Sequence, residues 1–303
     1  MKKTLIVLLG PTGVGKSDLS IRLAQYFDTE IISSDSRQVY RELSIGTAVP
    51  PLTDQRKVKH HLIHSHSIHE YYSASHFEDD VLKILQLLFR EKDIAVMAGG
   101  SMLYIDAVCN GMDSLPDTDQ KLRTELIRDF DEKGIEHLRL QLKRLDPDYY
   151  AVVDLKNPKR LLHALEVCLT TGKPYSSFLT RPKKERPFHI IKIGLNLERE
   201  NLYERINRRV DRMMEEGLEE EARQVYSLKH LNSLNTVGYK ELFAFFDGTG
   251  SKEEATELIK RNSRHYARRQ LTWFRRDKEI NWFRPEQAEE VIQFIKNQIL
   301  CLK

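Results

Sequence analysis

The run Thr4-Leu5-Ile6-Val7-Leu8-Leu9-Gly10-Pro11-Thr12-Gly13-Val14-Gly15-Lys16-Ser17 decides the fold. Thr4 to Leu9 reads as a buried strand, and Lys16 to about Phe27 as a helix with Leu19, Leu23 and Phe27 on one face. Between them, Gly10 to Ser17 match G-x-x-x-x-G-K-[ST] in the strand–loop–helix setting that gives this pattern its mechanism. The glycines let backbone N–H groups converge on phosphate oxygens, and the helix N-terminus adds the positive end of its dipole. Lys16 supplies a point charge, and the Ser17 hydroxyl is placed to hold Mg²⁺. A chance glycine turn is the bland alternative, and the flanking strand and helix speak against it.

The 303 residues carry 48 Lys+Arg against 45 Asp+Glu, and 40% of them are hydrophobic. Such a chain is too apolar to stay disordered, and its near-neutral charge by itself says nothing for nucleic acid. No apolar run reaches the roughly 18 residues that a membrane-spanning helix needs. The N-terminal apolar run stops at Gly10-Pro11, with a glycine-rich loop where a leader would need a cleavage site, so the chain reads as cytoplasmic. Cys109, Cys168 and Cys301 form no C-x-x-C pair, which fits a reduced protein without a disulfide framework or thiolate zinc site.

Working outward from the loop, Glu30–Asp35 reads as a second short strand ending on an acid, Ser73–Arg90 as a helix and Ile94–Ala98 as a third strand. Gly99-Gly100 then leads into a helix from Ser101 to about Cys109. From about Asp117 to Thr171 the pattern is helical with no strand signal, and Arg181–Pro187 reads as exposed linker. His189–Leu195 restores a strand, followed by helices at Leu202–Met214, Leu218–Tyr226, Tyr239–Phe246 and Lys252–Arg276, a strand-like Ile280–Phe283 and a closing helix. The expected class is α/β: a P-loop NTPase-like core with a parallel sheet flanked by helices, residues 1–116 and 188–303, interrupted by an all-helical insertion at 117–187.

A nucleotide hydrolase also needs an acid at the end of a buried strand to help hold its metal. Ile94–Ala98 ends in Gly-Gly-Ser instead, while Glu30–Asp35 does end in an acid, Asp35. The motif set therefore supports phosphoryl transfer, or another reaction with a polyphosphate leaving group. Arg205, Arg209 and Arg212 fall at i, i+4 and i+7 and project from one helix face. Between Lys260 and Lys278 there are eight Lys/Arg and one acid, interleaved with His265, Tyr266, Trp273 and Phe274. There Arg261, Arg264, Arg268 and Arg275 form a basic stripe opposite an apolar side marked by Ala267, Leu271 and Phe274. Such a stripe suits backbone phosphates, although a charge run alone is more often a solvated face. His60, His61, His64, His66 and His69 match no zinc spacing and read as substrate-loop or surface histidines.

Further motifs follow the phosphate loop in order: Ser34-Asp35-Ser36-Arg37-Gln38-Val39-Tyr40, Ile45-Gly46-Thr47-Ala48, His60-His61-Leu62, Tyr72-Ser73-Ala74 and Gly99-Gly100-Ser101-Met102-Leu103-Tyr104. Later come Asn157-Pro158-Lys159-Arg160, Arg205 to Arg209, Val237-Gly238-Tyr239-Lys240 and the run from Tyr266 to Arg275. In this order, over nearly the whole chain, they resemble the bacterial tRNA dimethylallyltransferases (tRNA isopentenyltransferases) of the P-loop superfamily. Those enzymes prenylate N6 of the adenosine just 3′ of the anticodon.

The resemblance implies that Gly10, Pro11, Thr12, Gly13, Val14, Gly15, Lys16 and Ser17 cradle the diphosphate of dimethylallyl diphosphate, although by pattern alone the loop would be labelled ATP-binding. It implies Asp35 as the acceptor that orients the adenine amine and takes its proton, Arg209 and Lys16 as diphosphate ligands, and Ser17 as the Mg²⁺ ligand. Ser101 stands where the family usually has Thr; the hydroxyl is kept and the β-branch that fixes its rotamer is lost. Implied tRNA contacts are Asp35, Ser36, Arg37, Gln38, Ser101, Arg123, Lys159, Arg160, Leu161, Leu162, His163, Val237, Gly238, Tyr239, Lys240, Arg264 and Arg268. The helical insertion would grip the anticodon stem-loop. A monomer without an obligate protein partner is expected, since no heptad or large apolar stripe is left over. Three other readings stay open: a P-loop small-molecule kinase, an isopentenyltransferase acting on free adenine nucleotide, and a non-catalytic RNA-binding module.

Overall fold

In a computed structural model the described residues are 2–113, 120–179 and 184–301. The chain begins with β1 (Thr4–Leu9), α1 (Lys16–Tyr26), β2 (Ile31–Ser34), α2 (Leu52–Lys57), β3 (His60–His61), α3 (Ala74–Glu91), β4 (Ile94–Gly99) and α4 (Met102–Asn110). It continues through α5 (Gln120–Leu145), α6 (Pro147–Val152), α7 (Pro158–Thr171), β5 (His189–Leu195), α8 (Arg199–Glu215) and α9 (Leu218–Gln224). It ends with α10 (Tyr239–Phe246), α11 (Lys252–Phe274), β6 (Asn281–Phe283) and α12 (Ala288–Leu300).

The sheet order is β3-β2-β4-β1-β5-β6 and every pairing is parallel, as the alternating pattern of strands and helices predicts. β1 is buried at every residue because it lies between β4 and β5 and is covered on both faces. Ile6 and Leu8 pack with Leu19 and Leu23 of α1, Leu202 and Ile206 of α8, and Val291 and Ile295 of α12. Register then places the site. Leu9 pairs with Gly99, and Gly99 pairs with Ser34, so β1, β2 and β4 end level with one another. The residues that follow, Gly10, Asp35 and Gly100, leave the sheet side by side on its carboxyl rim, where open parallel sheets bind ligands.

The chain divides into two compact units, Met1–Cys109 with Glu185–Lys303, and Asn110–Lys184. The second unit has its own core, in which Leu126, Leu138 and Leu142 of α5 meet Leu161, Ala164 and Leu165 of α7. Its caps are legible in sequence: the Asn157 side chain accepts from the Arg160 N–H and Pro158 takes the first helical position. Asp146, fully buried, accepts from the N–H groups of Tyr149 (2.9 Å) and Ser176 (2.6 Å) and from the Ser176 hydroxyl (2.8 Å). It thereby starts α6 and ties down the turn after α7.

Some expectations need correction. α2 buries none of its residues and β3 is two residues long, so neither leaves a periodic signal. The helical stretch is interrupted at Gly134, which sits at φ 75° and ψ −179° inside α5. Ser73 is the cap of α3 and accepts from the His76 N–H rather than belonging to the helix. The expected start of the insertion at Asp117 and the linker residues Arg181–Lys183 lie outside the described residues. Among the described residues no helix is long and apolar enough to cross a membrane.

Candidate active site

The Gly10–Ser17 loop wraps around its own lysine. Lys16 Nζ donates to the carbonyls of Gly10 (2.9 Å) and Pro11 (2.8 Å). Burial, and then the neighbouring Arg209 guanidinium, push its pKa down to about 7, while Asp35 pulls it upward. Arg209 reaches in from α8 and donates to Thr12 Oγ1 at 3.4 Å; burial lowers its pKa too, again opposed by Asp35. Two crowded cations facing one carboxylate are short of negative charge, which a polyanion would supply. A cavity of about 460 Å³ opens over them, lined by Gly13, Gly15, Lys16, Ser17, Asp35, Gly99, Gly100 and the α8 arginines Arg205, Arg208, Arg209 and Arg212. The expected trio at 205, 209 and 212 is thus brought together, with Arg208 as an unforeseen fourth.

Asp35 follows the last residue of β2. Its Oδ1 accepts from the backbone N–H groups of Arg37 (2.9 Å) and Gln38 (3.4 Å), which fixes the carboxylate's orientation. Ser101, buried at the start of α4, accepts from the Ser36 N–H at 2.8 Å and lies beside Tyr266 of α11. Burial pushes the Tyr266 phenol up to about 12, so it is neutral at physiological pH. A second cavity, of about 320 Å³, is lined by Asp35, Ser36, Arg37, Thr47, Val237, Gly238, Lys240 and Arg269, with Thr12, Arg209 and Tyr266. Thr12, Asp35, Arg209 and Tyr266 line both cavities. Asp35 therefore stands where a cavity lined by Lys16 and four arginines meets a chamber with a different lining.

Ser17 lines the first cavity together with Asp18 and Asp35. Among the described residues no three His, Cys, Asp or Glu side chains converge as a metal-binding group. A cation here would draw on hydroxyl, carboxylate, phosphate and water oxygens, the hard donor set of Mg²⁺. The histidine run is spread over separate tasks. His60 lines the first cavity with Nδ1 at 2.8 Å from the Val58 carbonyl, His61 Nε2 meets Glu30 at 2.5 Å, and His64 Nε2 lies 3.2 Å from Ser44 Oγ.

A family model described as IPP transferase matches residues 38–277 of the chain. The chain belongs to the IPP transferase family. tRNA dimethylallyltransferase 1 of Bacteroides fragilis is 54% identical over 297 residues, covering 98% of this chain and 99% of that protein. The protein of the same name from Porphyromonas gingivalis is 56% identical over 283 residues, covering 93% and 94%. The crystal structure of the full-length tRNA isopentenylpyrophosphate transferase of Bacillus halodurans superposes with a TM-score of 0.71 at 36% identity, covering 98% of this chain and 96% of that one. A eukaryotic dimethylallyltransferase acting on tRNA superposes with a TM-score of 0.75 at 29% identity, covering 90% and 70%.

In this member of the IPP transferase family, the expected RNA contacts separate by burial. Val237, Gly238 and Lys240 line the second cavity. Tyr239 is fully buried, and its hydroxyl donates to Glu221 at 2.6 Å, so its side chain is an internal clamp rather than a surface contact. Gln38 donates through Nε2 to the carbonyls of Thr47 (3.2 Å) and Ala48 (3.0 Å) and accepts at Oε1 from the Ser33 hydroxyl (2.9 Å). Both of its amide protons are engaged, which leaves only the second lone pair of Oε1 for the expected contact with tRNA. On α7, Lys159 and Arg160 are exposed, Leu162 and His163 are half-buried, and Leu161 is a core residue. Arg123 pairs at 2.9 Å with the buried Glu166, beside His163.

On α11, Arg261 and Arg268 are exposed, as is Arg275 at its C-terminal cap, while Arg264 donates to Asn207 at 2.6 Å. Two of the interleaved aromatics are held by the protein itself: Trp273 donates to Asp106 at 2.8 Å and Phe274 is buried, whereas His265 is exposed. Two residues that proved central, Gln270 and Glu221, were not singled out by sequence. Gln270 did leave a signal, since it is a polar residue at helical spacing from Ala267 and Phe274, on the side marked as buried.

Proposed function

We propose that the chain transfers a dimethylallyl group from dimethylallyl diphosphate to N6 of adenosine 37, the nucleotide 3′ of the tRNA anticodon, and releases diphosphate. The sharing of Asp35, Thr12, Arg209 and Tyr266 by the two cavities carries this reading, because it gives a charged donor and a neutral base separate chambers with one acid between them. The N6 lone pair attacks C1 of the allylic group, the C1–O bond breaks, and its electron pair leaves on the diphosphate. Asp35 Oδ2, the oxygen that does not brace the Arg37 turn, takes the N6 proton. Lys16 and Arg209 bear the charge that grows on the leaving group, and Ser101 offers its hydroxyl to the bridging oxygen.

The Ser17 hydroxyl, with phosphate oxygens, would hold Mg²⁺, which when bound neutralises part of the diphosphate charge. The exposed arginines of α11, Arg268 foremost, take backbone phosphates. Lys159, Arg160, His163 and Arg123 of the helical unit face the anticodon stem-loop, whose target base must be splayed out of its stack. The enzyme works as a cytoplasmic monomer with no protein partner.

The test is to incubate the protein with labelled dimethylallyl diphosphate and, separately, labelled ATP, offering unmodified tRNA and free adenine nucleotide as acceptors. Label is expected on tRNA from the prenyl donor alone. Transfer from ATP to a small molecule with none to tRNA, or prenylation of the free nucleotide instead of tRNA, overturns the assignment.

A further inference from the structure

Gln270 is a polar residue only 2% exposed, on the apolar side of α11. A buried amide is costly unless both ends are bonded, and here both are. Oε1 accepts from the Thr12 N–H at 2.9 Å, and Nε2 donates to the Gly100 carbonyl at 2.8 Å. The partners settle the orientation of the amide, since a backbone N–H only donates and a carbonyl only accepts. A Cβ at Gly100 would lie 2.3 Å from Nε2, so the amide occupies the space that glycine leaves there.

We propose that Gln270 is a positioning residue that makes the diphosphate cradle and the RNA-facing helix one mechanical unit; this rests on the prenyl-transfer reading above. Thr12 belongs to the loop that lines the first cavity, and Gln270 fixes that loop in place through the Thr12 N–H while Thr12 Oγ1 receives Arg209. Gly100 ends the strand next to the cradle, so one side chain spans the phosphate loop and the corner that leads to Ser101. The same helix carries Tyr266, one turn earlier, beside Ser101. Arg268 is exposed, and Arg269 lines the second cavity. A helix drawn in by RNA phosphates therefore moves Thr12, Gly100 and Ser101 with it. RNA binding tightens the hold on diphosphate and, by linkage, diphosphate tightens the hold on RNA to the same degree.

Gln270→Met keeps the length of the side chain and removes both bonds. The measurements are the Kd of inorganic pyrophosphate with and without an unmodified anticodon stem-loop RNA, the Kd of that RNA alone, and kcat and KM for prenyl transfer. The wild type is expected to bind pyrophosphate several-fold more tightly when RNA is present. Q270M should bind pyrophosphate about tenfold more weakly, lose the RNA-dependent tightening, and keep its affinity for RNA alone within about twofold. An active wild type without RNA-dependent tightening, or a folded Q270M with wild-type pyrophosphate affinity and tightening, overturns this role and leaves the prenyl-transfer reading intact. A wild type that transfers no prenyl group to RNA refutes the prenyl-transfer reading itself. If Q270M does not fold, hydrogen exchange on the wild type decides: the Thr12 amide should exchange more slowly once the stem-loop is bound, and an unchanged rate overturns the coupling.

Discussion

The Tyr239 hydroxyl donates to Glu221 at 2.6 Å, and the same carboxylate accepts the backbone N–H groups of Ser44, Ile45 and Gly46, each at 2.8 Å. A Cβ at Gly46 would lie 2.7 Å from the Tyr239 ring, so the loop approaches the phenol as closely as glycine allows. The next two residues of that loop, Thr47 and Ala48, hold the Gln38 amide, and Gln38 N–H reaches back to Asp35. A tyrosine read from sequence as an RNA contact is thus the far end of a brace behind the proposed acid.

Tyr239→Phe removes a buried hydrogen bond to a charged acceptor and should cost about 1.5–3 kcal/mol of stability. Urea unfolding reads this as a lower midpoint at constant slope. Stability equal to wild type would show that the clamp bears no load.

Asp35→Asn keeps the acceptor oxygen for the Arg37 turn but cannot take a proton. Single-turnover prenyl transfer should slow by about 10²–10⁴-fold while tRNA affinity holds. A loss below about threefold would remove Asp35 from the role of base.

Lys16 gives a pH signature. Burial and the Arg209 guanidinium hold its pKa at about 7. Above that pH the free protein holds a neutral amine, and a bound diphosphate restores the proton. Donor binding should therefore take up a proton near pH 8 and weaken with rising pH, by up to about tenfold per unit. The folding term has the opposite sign. The unfolded lysine stays charged to about pH 10.4, so the penalty of the buried ammonium is complete below 7 and is relieved between 7 and 10. Calorimetry in buffers of different ionisation enthalpy checks the proton count; zero uptake at pH 8 contradicts it.

Arg268→Ala should weaken tRNA binding and lower the slope of log K against log salt by roughly one. Arg264→Ala, whose guanidinium already serves Asn207, should change the slope less. Equal effects of the two would mean that exposure on α11 does not determine phosphate contact.

Legibility in the sequence followed the range of each interaction. The strand, loop and helix around Lys16 are local, so the apolar run and glycine spacing sufficed to place them. Asp35 was legible because a short strand stops one residue before it. α2 and β3 were not, since neither buries an apolar face. The Tyr239–Glu221 clamp joins residues 18 apart through tertiary packing, and no property of an acidic run such as Glu219–Glu221 marks the third member as the one turned inward. Arg123 looked like a free cation because its buried partner, Glu166, lies on a different helix. Gln270 falls between these cases: its placement on the apolar side was visible, and its two partners were not.

The parallel sheet also sets an order of events during folding. Thr4 of β1 pairs with His189 of β5, with the whole of Asn110–Lys184 lying between them in sequence. Joining those strands in an unstructured chain closes a long loop and bears a large entropic cost before any pairing compensates it. The intervening unit has a core of its own and is built from short-range helical contacts. Its collapse brings the end of the first half and the start of the second closer before the central strands meet. Pulsed hydrogen exchange during refolding should accordingly protect α7 ahead of β1, and simultaneous protection of the two would refute that order.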